Sequence, residues 1–494
     1  MEVPDVRQAG AKGKANAQRT SAMRRAALFV GALGLALNAE AQTVTILHTF
    51  SSIATNGDEP FAGLIQGRDG NFYGTTEFGG SQAVGTVFRI SPGGSYTNLY
   101  SFASTFTGDG WQPLAGLVQG SDGNFYGTTS AQGTNTCKCG NVFRISPSGS
   151  YANLHYFSGL TNDGSTPRGA LVQGSDGNFY GTATGGGSGT GGAGVVFRIS
   201  PSGSYTNLYS FPGYPKDGYL PKGALVQGSD GNFYGTTVNG GTNGFGTVFR
   251  VSPSGSYTNL HSFAGGYYYG NNDGQHPYGG LVQGGDGNFY GTTTGGGTNV
   301  NVGGIVFRMT PSGACTTLYS FGGAPDGGSP VALVLGSDGN FYGTTQSGGT
   351  NVCGCGTIFR ISPIGTYRSL YSFGVPGQGQ PGAGLVQGSD GNFYGTTELG
   401  GTNSLGTVFK MAASLPSPAN QMNGVGVAGT NVVITVSSVA GETYQLQYAT
   451  GLSSGNWSNV PEASVTNSMG GSITVTNIGG AVSAGRFYRL VITP

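Results

Sequence analysis

The chain has 494 residues, 21 of them basic and 21 acidic, and only 9% of its residues are charged. Such a neutral, charge-poor chain gives no electrostatic ground for nucleic acid or an anionic membrane surface as partner. Its 98 glycines and 22 prolines would suit a disordered chain, but 26 tyrosines and 27 phenylalanines supply large apolar bodies for a core.

Residues 1–25 are polar and basic and end in Arg24-Arg25, residues 26–38 are apolar, and Ala39-Glu40-Ala41 sets small residues where a signal peptidase cuts. The apolar run falls short of the roughly 20 residues of a membrane span. Residues 1–41 are predicted to be a secretory signal peptide, with Met23 as an alternative start. The mature chain then begins near Gln42, secreted or at the cell surface. A retained N-terminal anchor is the rival reading.

Seven copies of Asp-Gly-Asn-Phe-Tyr-Gly-Thr-Thr follow, the third ending Thr182-Ala183. Their aspartates are Asp69, Asp122, Asp176, Asp230, Asp286, Asp338 and Asp390, at steps of 53, 54, 54, 56, 52 and 52 residues. A fixed period of this size marks a repeat architecture. Each unit reads as four strands. In the second copy the first two are Pro113–Gly120 and Asn124–Thr129. A Gly-rich loop, a third strand such as Gly246–Val251, the turn Ser252-Pro253-Ser254-Gly255 and a fourth strand, Tyr257–Phe263, complete the pattern. The Asp-Gly between the first two strands is a tight-hairpin signal.

Four antiparallel strands per period predict a β-propeller blade. Both strand faces are apolar, so each blade must be sandwiched between two others and the ring must close. Thr43–Phe50 matches a fourth strand, and the repeats stop after a third strand, Gly406–Met411. The N-terminal strand is therefore expected to complete the last blade. The predicted fold is all-β, a seven-bladed β-propeller over residues 42–411.

The unit Gly-Leu-Val-Gln-Gly-Ser-Asp-Gly-Asn-Phe-Tyr-Gly-Thr-Thr, then Gly-Gly, then Gly-Thr-Val-Phe-Arg-Ile-Ser-Pro, resembles the GloVer tandem repeat of bacterial secreted "choice-of-anchor" proteins. The likeness covers about three quarters of the chain. It is similar, more loosely, to kelch propellers. The resemblance implies an exported protein, often with a C-terminal sorting segment, and brings no catalytic residues. Arg489–Pro494 carries no apolar helix with a basic tail, which leaves anchorage by such a segment unsupported.

Residues 412–421 contain Pro416 and Pro418 and read as a linker. Residues 422–494 alternate short strands with turns and predict a small β-sandwich, with a spacer or docking role.

Among residues that carry chemistry, the Asp of each Asp-Gly-Asn reads as turn-forming. A calcium site there is the rival, and it lacks the dense acids of a calcium loop. The basic residue of each third strand (Arg89, Arg144, Arg198, Arg250, Arg308, Arg360, Lys410) is expected to pair with carboxylates or carbonyls between blades. A second recurrent motif, Asp-Gly before the first strand, gives Asp109, Asp163, Asp217, Asp273 and Asp326. These acids either shape turns or ring one channel mouth as a polar or cation-binding rim. Five cysteines, Cys137, Cys139, Cys315, Cys353 and Cys355, fit local disulfides with Cys315 unpaired better than a metal site. His48, His155 and His261 occupy fourth-strand positions and read as blade-edge residues, and no catalytic triad stands out.

Asymmetry points to function in the inter-blade loops, which hold Trp111, Tyr214, Tyr219, Tyr267, Tyr268, Tyr269 and His276. The favoured reading is a monomeric binding or adhesion scaffold for glycan or protein, with no cofactor and no metal. The alternatives are an extracellular polysaccharide hydrolase or lyase using the mouth carboxylates, and a purely structural surface component.

Overall fold

In the computed structural model the described residues are 42–51, 56–103, 108–131, 137–188, 192–215, 217–265, 273–298, 303–374, 379–412, 422–428, 431–438, 443–449, 458–466, 471–477 and 487–493. All regular elements among them are β strands. The chain divides into Glu40–Ser414 and a second unit that includes Leu415–Pro494. In the second unit, Met422–Ala428, Asn431–Ser438 and Gly471–Asn477 form one three-stranded antiparallel sheet. Ser458–Thr466, Thr443–Ala449 and Phe487–Thr493 form another.

Seven four-stranded sheets make a seven-bladed β-propeller. In the third blade the strands run Val172–Gln173, Phe179–Ala183, Val195–Ile199 and Tyr205–Ser210. In the seventh, the outer strand is Val44–Thr49, paired antiparallel with Thr407–Met411. The first strand was expected to be long, yet in six blades its laddered part is two residues, as in Val118–Gln119. The residues before it turn their carbonyls sideways to a neighbour. Ala115 O accepts from Thr75 Oγ1 at 3.1 Å and Ala62 O from Thr396 Oγ1 at 3.0 Å.

Each letter of the repeated motif has a physical duty. The Asp accepts from the Asn two residues on, through N–H and Nδ2, and from the Tyr hydroxyl: Asp230 receives Asn232 N at 3.1 Å, Asn232 Nδ2 at 2.7 Å and Tyr234 Oη at 2.8 Å. All seven aspartates make this set. The Phe and Tyr point to opposite faces, as successive strand residues must. Each Tyr stacks on the Phe of the next blade: Tyr73 on Phe125, Tyr126 on Phe179, Tyr180 on Phe233, Tyr234 on Phe289, Tyr290 on Phe341 and Tyr342 on Phe393. Tyr394 stacks on Phe72 of the first blade, 3.9 Å between centroids. The Gly after the Tyr leaves room for the third-strand Phe, since a Cβ on Gly235 would come within 2.6 Å of Phe249. The last Thr bonds across to the third strand, as Thr237 to Thr247 at 2.8 Å.

A second circuit runs along the Asp-Gly-Asn turns. Each first-strand Gln accepts from a backbone N–H in the preceding blade: Arg68 to Gln119, Ser121 to Gln173, Ser175 to Gln227, Ser229 to Gln283, Ser337 to Gln387 and Ser389 to Gln66. Between the fifth and sixth blades Gly285 and Leu335 stand at these positions.

The third-strand bases do not bridge blades as expected. Each faces the motif Tyr of its own blade across the ladder, as Arg89 faces Tyr73, and Lys410 pairs with Asp390 at 3.2 Å. The side chain there lies on the same pleat face as the Tyr, so its own turn is nearer than the next blade. The disulfides are local, Cys137–Cys139 and Cys353–Cys355, and Cys315 is free.

Neighbouring first strands approach so closely that a Cβ on Gly279 would sit 2.1 Å from Val331 O, while one on Gly285 meets nothing within 4 Å. Gly279→Ala is expected to cost about 1–3 kcal/mol by overpacking against backbone. Gly285→Ser, which installs the serine of other copies, should stay within about 0.5 kcal/mol. Denaturant unfolding of both variants checks this, and equal midpoints would contradict the close approach.

Candidate functional site

The inter-blade loops and the loops after the second strands meet on one face. There they pair as two-residue ladders: Gly57–Asp58 with Phe78–Gly79, Gly164–Ser165 with Gly185–Gly186, Gly218–Tyr219 with Asn239–Gly240, and Gly274–Gln275 with Gly295–Gly296. In the second blade Trp111 and Ala131 form the equivalent bridge.

Two residues after the loop Gly, and just before a Pro, the backbone turns left-handed without glycine. Glu59, Gln112, Thr166, Leu220, His276 and Ser329 have φ between 51° and 59°. Such a conformation strains a non-glycine residue by about 1–3 kcal/mol. It is held because each N–H donates to the preceding blade, as Gln112 N to Val84 O at 3.1 Å and Thr166 N to Cys139 O at 2.8 Å. Across these six copies the backbone is constant while the side chain differs. That combination displays variable groups where the loops turn into the innermost strands.

Charge gathers at this level. Burial first, then the Asp58 and Glu398 charges, push the Glu59 carboxyl up. Glu77 is pushed up by burial, then by Glu59 and Glu398, with Arg168 opposing. Burial alone raises Glu398. Gln112 Nε2 donates to Glu77 Oε1 at 3.1 Å. Farther round, burial and then Arg168 lower Lys222, whose Nζ stands 4.7 Å from the centre of the Tyr278 ring. An arc of acids from blades seven and one therefore passes through Gln112 to Arg168, Lys222 and Tyr278 on blades three, four and five. The three glutamates gather acceptor oxygens at one end, as Glu77 shows toward Gln112, and the far end supplies cations and an aromatic face.

The recurrent loop aspartates lie elsewhere. Asp109 accepts from Tyr100 Oη, and its carbonyl from Tyr151 Oη at 2.8 Å. Asp217 takes Tyr209 Oη at 2.8 Å and Tyr257 Oη at 2.6 Å, and Asp326 takes Tyr319 Oη at 2.7 Å. Asp163 accepts from His155 and Ser158, and Asp273 from His261 and Ala264. All these rings belong to fourth strands, at the outside of the blades. The expected rim at the channel mouth is thus corrected: these acids clamp outer strands of successive blades, because the loop leaves the outer strand before it reaches the centre. The histidines at blade edges are half-buried partners of the same clamps.

Of the aromatic candidates, Tyr214 is 59% exposed. Trp111 is half-buried on the loop face. Tyr219 packs against the core between blades three and four. His276 Nδ1 lies 3.1 Å from Val238 O, with its ring near Phe245. Tyr267, Tyr268 and Tyr269 lie outside the described residues. An open groove of about 470 Å³ on the third blade is lined by Asn207, Tyr209 and Ser210 among others. Its Asn–Ser hydrogen bond recurs as Asn98–Ser101 and Asn259–Ser262, so the lining is a common blade feature.

A carboxyl whose folded pKa lies above its unfolded value costs stability once it ionises. The cost is absent below the unfolded pKa and complete above the folded one. Glu398→Gln is therefore expected to raise the thermal midpoint at neutral pH relative to the parent, with the gain vanishing below the ordinary glutamate range. Paired melting curves across pH check this. A shift of the same size at both ends would contradict it.

No curated protein matches the sequence. Among solved structures the chain is similar to the extracellular domains of two candidate hybrid two component systems from B. thetaiotaomicron. For one the identity is 11% and the TM-score 0.48, covering 92% of this chain and 55% of that one. For the other they are 12% and 0.47, covering 92% and 56%. The chain thus spans about half the length of these two structures. It is also similar to a puromycin hydrolase, at 12% identity and TM-score 0.43, covering 81% and 62%. None of these likenesses carries an activity across. Among the described residues no helix is long and apolar enough to cross a membrane. The model of the Gloeobacter/Verrucomicrobia repeat matches residues 34–229, 109–271 and 224–417. The chain belongs to the Gloeobacter/Verrucomicrobia repeat family.

Proposed function

We propose that the protein is an exported binding scaffold that engages glycan through the loop face of its propeller. The observation that carries this reading is the arc of Glu59, Glu77, Gln112, Glu398, Arg168, Lys222 and Tyr278 in a chain otherwise poor in charge. Mixed donors and acceptors with one aromatic face suit a hydroxyl-rich ligand better than a uniformly charged one. A protein partner on the same face is the other outcome of the test. Export rests on the leader-like residues 1–41. The strand Val44–Thr49 closes the ring, and residues 422–494 serve as a sandwich module for spacing or docking.

A glycan array with the full chain, followed by titration calorimetry on the best hit, tests the reading. Arg168→Ala with Lys222→Ala should weaken binding by about tenfold, or about 1.4 kcal/mol. A Tyr267–Tyr269 triple alanine variant tests the loop aromatics separately. Equal binding by parent and the Arg168/Lys222 variant would remove the arc from the reading.

A second reading is a polysaccharide hydrolase or lyase. It is favoured by the raised Glu77 and Glu398 carboxyls, which suit a general acid. Under that reading Glu77→Gln and Glu398→Gln each abolish release of labelled oligosaccharide while binding survives. No release by the parent protein would end it.

A further inference from the structure

The outer strands are joined blade to blade by a ladder of rings. The first residue of an outer strand is Tyr96, Tyr151, Tyr205, Tyr257 or Tyr367, and each lies flat on a His or Tyr of the preceding outer strand. The pairs are His48–Tyr96, Tyr100–Tyr151, His155–Tyr205, Tyr209–Tyr257 and Tyr319–Tyr367, with centroids 3.8–4.5 Å apart and planes within 7°. The tyrosine is missing at two of the seven junctions: Val44 stands at its position between blades six and seven, and a cysteine between blades four and five. That cysteine, Cys315, stands opposite His261.

The substitution changes the chemistry of the junction. One nitrogen of His261, one carboxylate oxygen of Asp273 and Sγ of Cys315 lie within 4.8 Å of one another. His261 Nε2 is 3.1 Å from Asp273 Oδ2. That is about the N-to-O edge of a tetrahedron whose bonds are about 2.0–2.1 Å. The ligands are already braced. Asp273 is held by Ala264 N and Gly274 N, both at 3.0 Å, and the His261 ring stands edge-on to Phe263. Such outer contacts orient metal ligands. His261 and Asp273 keep 22% and 20% of their side-chain surface exposed, so water can reach the fourth position.

The other histidine junctions are internal controls. His155–Asp163 has the same 3.1 Å contact but meets Tyr205. His48 meets Asn56 and Tyr96. Among the described residues only the blade four–five junction gathers three ligand types.

We propose that His261, Asp273 and Cys315 bind one divalent transition metal of borderline softness, zinc foremost, with solvent as fourth ligand. A mixed N, O and S set selects for such ions over calcium or magnesium. Binding replaces the Cys315 thiol proton, which leaves to water, so one proton is released per metal bound. The site pins two outer strands together where the ring ladder is broken.

The test uses the full chain under non-reducing conditions, with cobalt(II) as probe. A thiolate-to-cobalt charge-transfer band saturating at one equivalent, and bleached by zinc, is expected. Cys315→Tyr installs the residue of five other junctions and should abolish the band with the fold kept, as judged by circular dichroism. Cys315→Ser, nearly isosteric, should also lose the band and weaken zinc binding by more than about tenfold. His155→Tyr should change nothing. A folded parent without the band, or a band that survives in Cys315→Ser, would overturn the assignment.

Discussion

The propeller depends on one contact repeated seven times, the stacking of a motif Tyr on the Phe of the next blade. Centroid distances fall between 3.8 and 4.1 Å, and Tyr394 on Phe72 completes the circuit. A single blade exposes both apolar faces to water. Only a closed ring buries every Phe on one side and every Tyr on the other. The Tyr hydroxyl is taken by the Asp that shapes the preceding turn, so the turn and the blade interface are fixed by one side chain. Burial pushes the Asp390 carboxyl up, but hydrogen bonds from Asn392, Tyr394 and Lys410 outweigh it and hold the pKa at about 2. The carboxylate of the Asp390 turn is thus ionised through ordinary pH.

Repetition of this kind leaves little freedom in the frame and concentrates freedom at defined points. The left-handed loop position is one such point: its backbone is tied to the preceding blade, so any side chain is presented in the same place. Successive copies set Glu59, Gln112, Thr166, Leu220, His276 and Ser329 there. Departures from the repeat at Cys315, Leu335 and Gly285 are others.

Much of the fold was legible in the sequence, because a period with aromatic residues on both strand faces has few physical solutions. The motif aspartates read correctly as turn formers, since a short acceptor before Gly-Asn has local donors at hand. The site was less legible. Glu398 and Glu59 are 339 residues apart in the chain and neighbours only in the ring. A signal was present, in that Glu77 and Glu398 replace the Ser130, Thr184, Val238, Thr294 or Gln346 that follows the same Thr position in other copies. The loop aspartates were misplaced for the opposite reason. Their recurrence was visible, but whether an inter-blade loop presents its first residues to the channel or to the outer strand is set by tertiary hydrogen bonds to Tyr100, Tyr209 and their equivalents.

The most direct test of the ring is a double-mutant cycle on Phe72 and Tyr394, set beside one on Phe233 and Tyr180. Equilibrium unfolding of Phe72→Leu, Tyr394→Leu and the double variant gives the coupling energy across the first and last blades. A closed ring requires about 0.5–1.5 kcal/mol, equal to the internal pair. Additive effects at Phe72 and Tyr394, with coupling at Phe233 and Tyr180, would contradict a closed ring of equivalent interfaces.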